Sequence, residues 1–201
     1  MLKIFLPMMG KTNLIKMTLC GKIRTYYTRI LFYAFLSDHN EQNLQEIIMH
    51  IINEGNNSRI AKNLNLDVRI LRYMQSMNHF TLSSLDYQIQ NINTLVRDDT
   101  ISEIQRVQNV IHKFDRFSSS EIIAPEWVVD EMLGYLENKG AYNSEHNFLD
   151  IASKAGEFSL GIDKLLKSKG VNTTNSIYAI PTSPIAYEFT RRVYTIIGTK
   201  Y

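Results

Sequence analysis

The spacing of apolar residues changes partway along the chain, and this change limits the fold more than any other feature. Up to about Phe114, apolar residues recur every three or four positions, as on one face of an α-helix. Beyond Ser118-Ser119-Ser120, short apolar runs typical of strands alternate with helical patterns. Such alternation indicates a parallel sheet covered by helices. We therefore predict an α/β protein with a helical region at residues 1–117 and a sheet-containing region at residues 118–201.

Signals at helix ends support the helical region. An apolar stripe runs from Leu44 to Ile52, and Gly55 follows it, because glycine readily adopts the left-handed conformation that ends a helix. Thr100 and Glu103 have the spacing of a capping box, in which each side chain accepts a hydrogen bond from the other residue's backbone N–H. A helix is therefore predicted to begin just after Thr100.

The second region is predicted to alternate helices and strands. Pro125 suits the first turn of a helix, on which Trp127 is expected to be a packing residue. A second helix is expected to begin at Pro184. Between these two helices we predict a short buried strand, a further helix and a second strand, at Phe148–Ile151, Phe158–Leu166 and Ser176–Ile180.

Composition excludes some classes of protein. The chain has 22 Lys and Arg against 20 Asp and Glu, and this balance neither predicts nor excludes nucleic-acid binding. Cys20 is the single cysteine, which rules out an internal disulfide and a multi-cysteine zinc site. The histidines show no ligand spacing, so no metal site is predicted. No apolar run approaches the roughly 18 residues of a membrane span, and we expect a cytoplasmic protein.

The segment Phe148–Phe158, FLDIASKAGEF, carries the strongest functional signal. Asp150 lies near the end of an apolar strand, and small residues and Gly156 precede the next helix. Open parallel sheets bind ligands at the carboxyl ends of their strands, and small residues let the backbone approach a ligand closely. The segment therefore predicts a ligand-binding loop. The simpler alternative is that Asp150 only caps the turn between strand and helix.

This segment resembles the cofactor loop of bacterial DNA adenine methyltransferases, which use S-adenosyl-L-methionine and share the pattern Asp-Pro-Ala-Cys-Gly-Ser-Gly-x-Phe. Lys154 stands where the first glycine is usual, and it is expected to lie in solvent. The resemblance implies the start of a Rossmann-like methyltransferase sheet, with S-adenosylmethionine as the cofactor. The matching residues are Asp150, Ala152, Gly156 and Phe158.

Two flanking segments resemble neighbouring motifs of the same family. Upstream, Ala124-Pro125 replaces the Thr-Pro pair that helps to hold the methionine part of the cofactor. Downstream, Pro181 stands in place of the acidic residue that binds the ribose hydroxyls, and Glu188 is a poor substitute for it. The resemblance implies that the cofactor is bound by Ala124, Pro125, Asp150, Ala152, Ser153, Gly156 and Phe158.

The catalytic motif of the family, Asn/Asp-Pro-Pro-Tyr, is absent, because the sequence has no Pro-Pro pair. That motif orients the target amino group of a flipped base, so no catalytic residue is assigned. We expect residues 118–201 to be the cofactor-binding part of a truncated methyltransferase domain that is inactive alone. Leu85–Asn91, LDYQIQN, resembles the linker of helicase-fused restriction-modification proteins. The implied partners are DNA and a helicase or endonuclease portion of the same system.

Residues Ser58–Gln75 allow a different interpretation. Their sequence, SRIAKNLNLDVRILRYMQ, resembles a helix-turn-helix with Leu66 at the turn and with Arg69 and Arg72 facing DNA. A plain helical hairpin is the simpler interpretation, because the usual turn glycine is missing. The alternative function is therefore a noncatalytic helical module that binds DNA or a protein.

Overall fold

The computed structural model describes residues 23–114, 117, 121–143 and 145–198. The fold is mixed α/β and mostly helical, with a two-stranded parallel sheet among the described residues. The chain forms two compact units, the first ending at Asn93 and the second beginning at Thr94. The boundary predicted at Ser118–Ser120 lies outside the described residues and stays a prediction. No helix in the described ranges is long and apolar enough to cross a membrane.

The described part of the first unit is helical, as the apolar spacing predicts. Its elements, the last of which crosses into the second unit, are α1, described over residues 23–36, α2 (Leu44–Glu54), a short 3₁₀ helix (Gly55–Asn57), α3 (Arg59–Asn63), α4 (Val68–Gln75) and α5 (His79–Val96).

The second unit begins with helices and continues through the sheet. The two strands lie side by side and are joined by a helix. Its elements are α6 (Glu103–Ile111), α7 (Glu126–Asn138), β1 (Phe148–Ser153), α8 (Glu157–Ser168), β2 (Ile177–Pro181) and α9 (Pro184–Ile197).

The start of α6 differs from the predicted capping box. The N-cap is Ser102, whose hydroxyl oxygen accepts a hydrogen bond from the Gln105 N–H at 3.3 Å. Thr100 instead donates its hydroxyl to the side chain of Asp98. The capping box at Thr100 and Glu103 is therefore wrong, because a local turn with Asp98 uses the threonine side chain.

Among the residues that the structure describes, helices cover the sheet on one face only. β1 and β2 are parallel, and Asp150 lies opposite Ala179. Helices α8 and α9 pack against both strands, and Ile177 and Asp150 are buried. The prediction of a buried strand is thus right for one face. Successive side chains of a strand point to opposite faces, and the opposite face exposes Leu149, Ile151, Tyr178 and Ile180.

Trp127 does not pack inside the unit, contrary to expectation. Its side chain is 69% exposed. Helix α7 packs through Val129 and Leu133, which are four residues apart and so lie on the same face of the helix. Trp127 is only two residues from Val129, so it projects from a different face. The hydrophobic core that α7 joins also contains Tyr142, Ile162, Leu166, Ile177 and Tyr194.

We predict that limited digestion with trypsin cuts after Arg116, next to the serine run, before it cuts after Lys154 or Lys164. A protease needs an extended backbone, and Lys164 lies within α8, while Lys154 lies in a loop whose next residue, Ala155, is fully buried. Gel electrophoresis and mass spectrometry of the early fragments give the order of cutting. Early cutting within Phe148–Leu166 contradicts the predicted domain boundary.

Candidate cofactor-binding site

The turn from β1 to α8 requires glycine at one position. Gly156 is the N-cap of α8 and has a φ of 79°. This left-handed conformation is rare for residues with a side chain. A Cβ at this position would also lie 3.3 Å from Cγ1 of Val193 on α9. The loop therefore bends sharply at Gly156 and lies close to α9.

Asp150 is directed into the fold. Its side chain is buried, and its carboxylate accepts a hydrogen bond of 3.1 Å from the hydroxyl of Ser159 on α8. Ser159 in turn accepts a 3.1 Å hydrogen bond from the hydroxyl of Tyr194 on α9. Burial raises the pKa of Asp150, and the hydrogen bonds from Ser153 and Ser159 oppose this rise. Asp150 thus connects β1 to the two helices that follow it.

Glu157, the first residue of α8, joins two segments that are distant in sequence. Its Oε1 accepts a hydrogen bond from the Ala124 N–H at 2.8 Å, and its Oε2 accepts one from the Ala155 N–H at 2.9 Å. Burial raises the pKa of Glu157, backbone hydrogen bonds oppose the rise, and the charge of Asp150 adds to it. The sequence interpretation missed this residue, although an acidic residue in the first turn of a helix is a known stabilising signal.

The segment before α7 makes two more contacts with the loops that follow the strands. The Lys154 Nζ donates to the carbonyl oxygen of Ile122 at 2.7 Å, and the Thr182 hydroxyl donates to the Glu121 carboxylate at 3.0 Å. The lysine was expected to lie free in solvent, but its ammonium group is bound to a backbone carbonyl. The positive charge of Lys154 is therefore directed toward the segment before α7.

The other predicted cofactor residues divide into two groups. Pro125 is the exposed N-cap of α7, and Ala152 is an exposed residue with a φ of 69° at the irregular end of β1. Ser153 is buried and lies 3.1 Å from the hydroxyl of Thr190, and Phe158 packs against the hydrophobic core. The first group is accessible to a ligand, whereas Ser153 and Phe158 hold the loop in place.

A cavity of about 510 Å³ opens beside Ala124 and Pro125. Residues from α6, α7 and α8 supply apolar walls, and Glu157 borders the cavity. Asp150, Ala152 and Ser153 do not line it. Three carboxylates and one lysine are among the lining groups, so the cavity favours a largely apolar ligand with a positive charge. These charged groups are Glu126, Asp130, Glu157 and Lys164.

The end of β2 has no acidic residue to bind a ribose. Pro181 ends the strand, and Ser183 caps α9 by accepting a 3.2 Å hydrogen bond from the Ala186 N–H. Glu188 is fully buried, and its carboxylate lies 3.3 Å from the Nε of Arg191. It is therefore not placed to replace the missing carboxylate.

Within the described ranges, no three His, Cys, Asp or Glu side chains are grouped so that they could hold a metal ion. Comparison with known proteins adds no relative: no family model, no curated protein and no solved structure matches this chain. The functional argument therefore depends on the residues and on their geometry.

Proposed function

We propose that this chain carries the cofactor-binding part of an S-adenosylmethionine-dependent DNA adenine methyltransferase of a restriction-modification system. The observation that carries the proposal is the bridge made by Glu157. It holds Ala124 next to Ala155, so two segments that each resemble a cofactor motif of that family lie side by side. The two segments are 33 positions apart in the sequence, and the hydrogen bond from the Ala124 N–H to Glu157 brings them together.

The chemistry of the cavity fits this cofactor. S-adenosylmethionine carries a positively charged sulfonium group and a flat adenine ring whose faces are apolar, and small-molecule sites are mostly apolar pockets of about 300–1,000 Å³ with few polar groups. The cavity of about 510 Å³ lies in this range. In the proposed complex, Glu157 attracts the positive charge of the cofactor, and Ala124 and Pro125 contact it. Asp150 positions the loop through Ser159. The bound cofactor would supply an activated methyl group.

The exposed sheet face supports the view that this unit belongs to a larger assembly. Parallel sheets are ordinarily buried on both faces. Here Leu149 and Ile151 of β1 lie opposite Tyr178 and Ile180 of β2, and all four side chains are exposed. In the proposal, further polypeptide covers this face in the functional protein. That polypeptide, DNA, and a helicase or endonuclease portion are its partners, and its compartment is the cytoplasm.

The proposal does not include catalysis by this chain alone. Transfer to an exocyclic amine requires a group that orients the amine, and the sequence has no Asn/Asp-Pro-Pro-Tyr motif. We therefore assign it cofactor binding rather than methyl transfer, and cofactor binding is the property to test.

We predict that Ala124→Thr increases the affinity for S-adenosylmethionine by roughly 2- to 12-fold. The threonine hydroxyl restores one hydrogen bond to the cofactor, worth about 0.5–1.5 kcal/mol. Threonine also suits the extended backbone that is favoured before proline. Ligand-observed NMR titration measures the change. Ala141→Thr, in the loop after α7, is the matched control and should bind as the unmodified chain does. Equal affinities for all three proteins contradict the assignment of Ala124.

A further inference from the structure

The turn between α3 and α4, in the first unit, has the geometry of a helix-turn-helix. Asn65 has a φ of 50°. The Asn65 N–H donates to the Lys62 carbonyl, and the Leu66 N–H donates to the Ala61 carbonyl, both at 2.9 Å. This pair of hydrogen bonds is a Schellman motif, which needs a left-handed residue at its centre. Asparagine tolerates that conformation, so Asn65 replaces the turn glycine whose absence favoured a plain hairpin.

The turn is held in a fixed position by its neighbours. Helix α2 packs against α4. From α1, the Tyr26 hydroxyl accepts a 3.2 Å hydrogen bond from the Asp67 N–H, and Arg29 donates to the Asn65 carbonyl at 3.5 Å. The inward side chains of α3, the turn and α4 are all buried: Ala61, Leu64, Leu66, Leu71 and Met74.

The outer face of α4 is exposed and basic. Arg69, Arg72 and Tyr73 are exposed, and their spacing of three and four residues places them on the same face. Arg59 and Lys62 of α3 are also exposed. Asp67 is the one acidic residue between Arg59 and Gln75, and it serves as the N-cap of α4 while pairing with Arg69 at 2.6 Å. Arg69 holds this carboxylate through two nitrogens, Nε and Nη2, so a DNA phosphate competes with Asp67 for the guanidinium group.

We propose that α3 and α4 form a helix-turn-helix that binds duplex DNA, with α4 as the helix that enters the major groove. Helix α4 has 8 residues, which makes it about 12 Å long at 1.5 Å per residue. The major groove is about 12 Å wide and admits the cross-section of a helix, which is about 10–12 Å with its side chains. Four exposed cations, two on α3 and two on α4, can pair with the phosphate backbone. Arg69 and Arg72 supply donors to phosphates or to guanine edges. This inference concerns the first unit and does not depend on the proposed function.

Fluorescence anisotropy with a labelled short duplex of randomised sequence tests the proposal over a series of KCl concentrations. We expect salt-dependent binding by the full chain. Arg69→Ala/Arg72→Ala should lower the affinity for DNA by roughly 50-fold near 0.1 M KCl. The double substitution should also reduce the slope of log affinity against log salt by about two, because each lost phosphate contact removes about 0.9 from that slope. Lys113→Ala/Lys139→Ala, on exposed positions of the second unit, removes the same charge and should leave both values nearly unchanged.

Variants of the turn provide an independent readout. Asn65→Gly keeps the left-handed conformation and should bind DNA as the unmodified chain does. Asn65→Val strains the turn and should lose binding together with helical circular dichroism. The proposal is overturned if the unmodified chain does not bind the duplex, or if the lysine control weakens binding as much as the arginine variant. Binding that survives the arginine substitutions also overturns it and places the DNA contact elsewhere on the chain.

Discussion

Gly161→Val is expected to lower the free energy of unfolding of the second unit by about 1–3 kcal/mol, as overpacked cores do. A Cβ at position 161 would overlap the Cδ1 of Leu133 and would lie 3.2 Å from the Cγ1 of Val129. Both neighbours are buried residues of α7, so they have little room to move. Helices α7 and α8 therefore approach this closely only because residue 161 has no side chain.

A second helical glycine provides the control for this substitution. Nothing lies within 4 Å of a Cβ built at Gly134 on α7. Gly134→Ala should therefore raise the free energy of unfolding by about 0.5–1 kcal/mol, since alanine loses less conformational freedom in a helix. Urea unfolding followed by circular dichroism measures both variants. A Gly161→Val variant that is as stable as the unmodified chain contradicts the close packing of α7 on α8.

Glu157→Ala is expected to destabilise the second unit by about 2–4 kcal/mol. The carboxylate accepts hydrogen bonds from two backbone N–H groups, those of Ala124 and Ala155. A buried donor that loses its partner costs about 1–3 kcal/mol, and since these two hydrogen bonds are only partly buried, the lower part of that range applies to each. Glu157→Gln keeps one acceptor oxygen and should therefore destabilise the unit less than Glu157→Ala does. The control is Glu137→Gln, which removes an ion pair with Lys169 between two partly exposed side chains and should cost less than about 1 kcal/mol.

The same residue makes stability depend on pH in a defined direction. Burial raises the pKa of Glu157 above its usual value of 4.5, so the folded chain holds this proton more tightly than the unfolded chain. The resulting stabilisation is fully present below the usual pKa and is lost as the pH rises through the raised pKa. Glu157→Gln should remove this part of the pH dependence. A pH profile of urea unfolding that is identical in Glu157→Gln and the unmodified chain contradicts the raised pKa.

Local signals in the sequence predicted most of the elements. The apolar stripe from Leu44 predicted α2, and Pro184 marked the start of α9, because helix-start signals and helical periodicity depend on residues close in sequence. The alternation of short apolar runs with helical patterns likewise predicted two parallel strands joined by a helix. A Rossmann-like sheet contains more strands than the two that the structure describes, so it remains part of the proposed function.

Contacts between residues that are distant in the sequence could not be predicted from such local signals. The bridge from Glu157 to Ala124 depends on how the chain folds back on itself. The exposure of Trp127 and of Ile151 depends on which faces other elements cover. For the same reason the loop at Asp150 was predicted, but its direction into the fold toward Ser159 was not. Asn65 could have been recognised earlier, because asparagine is the residue after glycine that most readily ends a helix.

Saturation-transfer NMR of the chain with S-adenosylmethionine tests the proposed function most directly. We predict weak, saturable binding. The hydrogen bond missing at Ala124 is worth about 0.5–1.5 kcal/mol and the charged contact missing at Pro181 roughly 1.5–3 kcal/mol, so together they should cost about 1.5 to 3 powers of ten in affinity. Asp150→Ala should abolish binding. Asp150→Asn, which keeps an acceptor for Ser159, should bind nearly as the unmodified chain does, and Glu137→Gln should have no effect. Micromolar binding that Asp150→Ala does not change would contradict the proposed site.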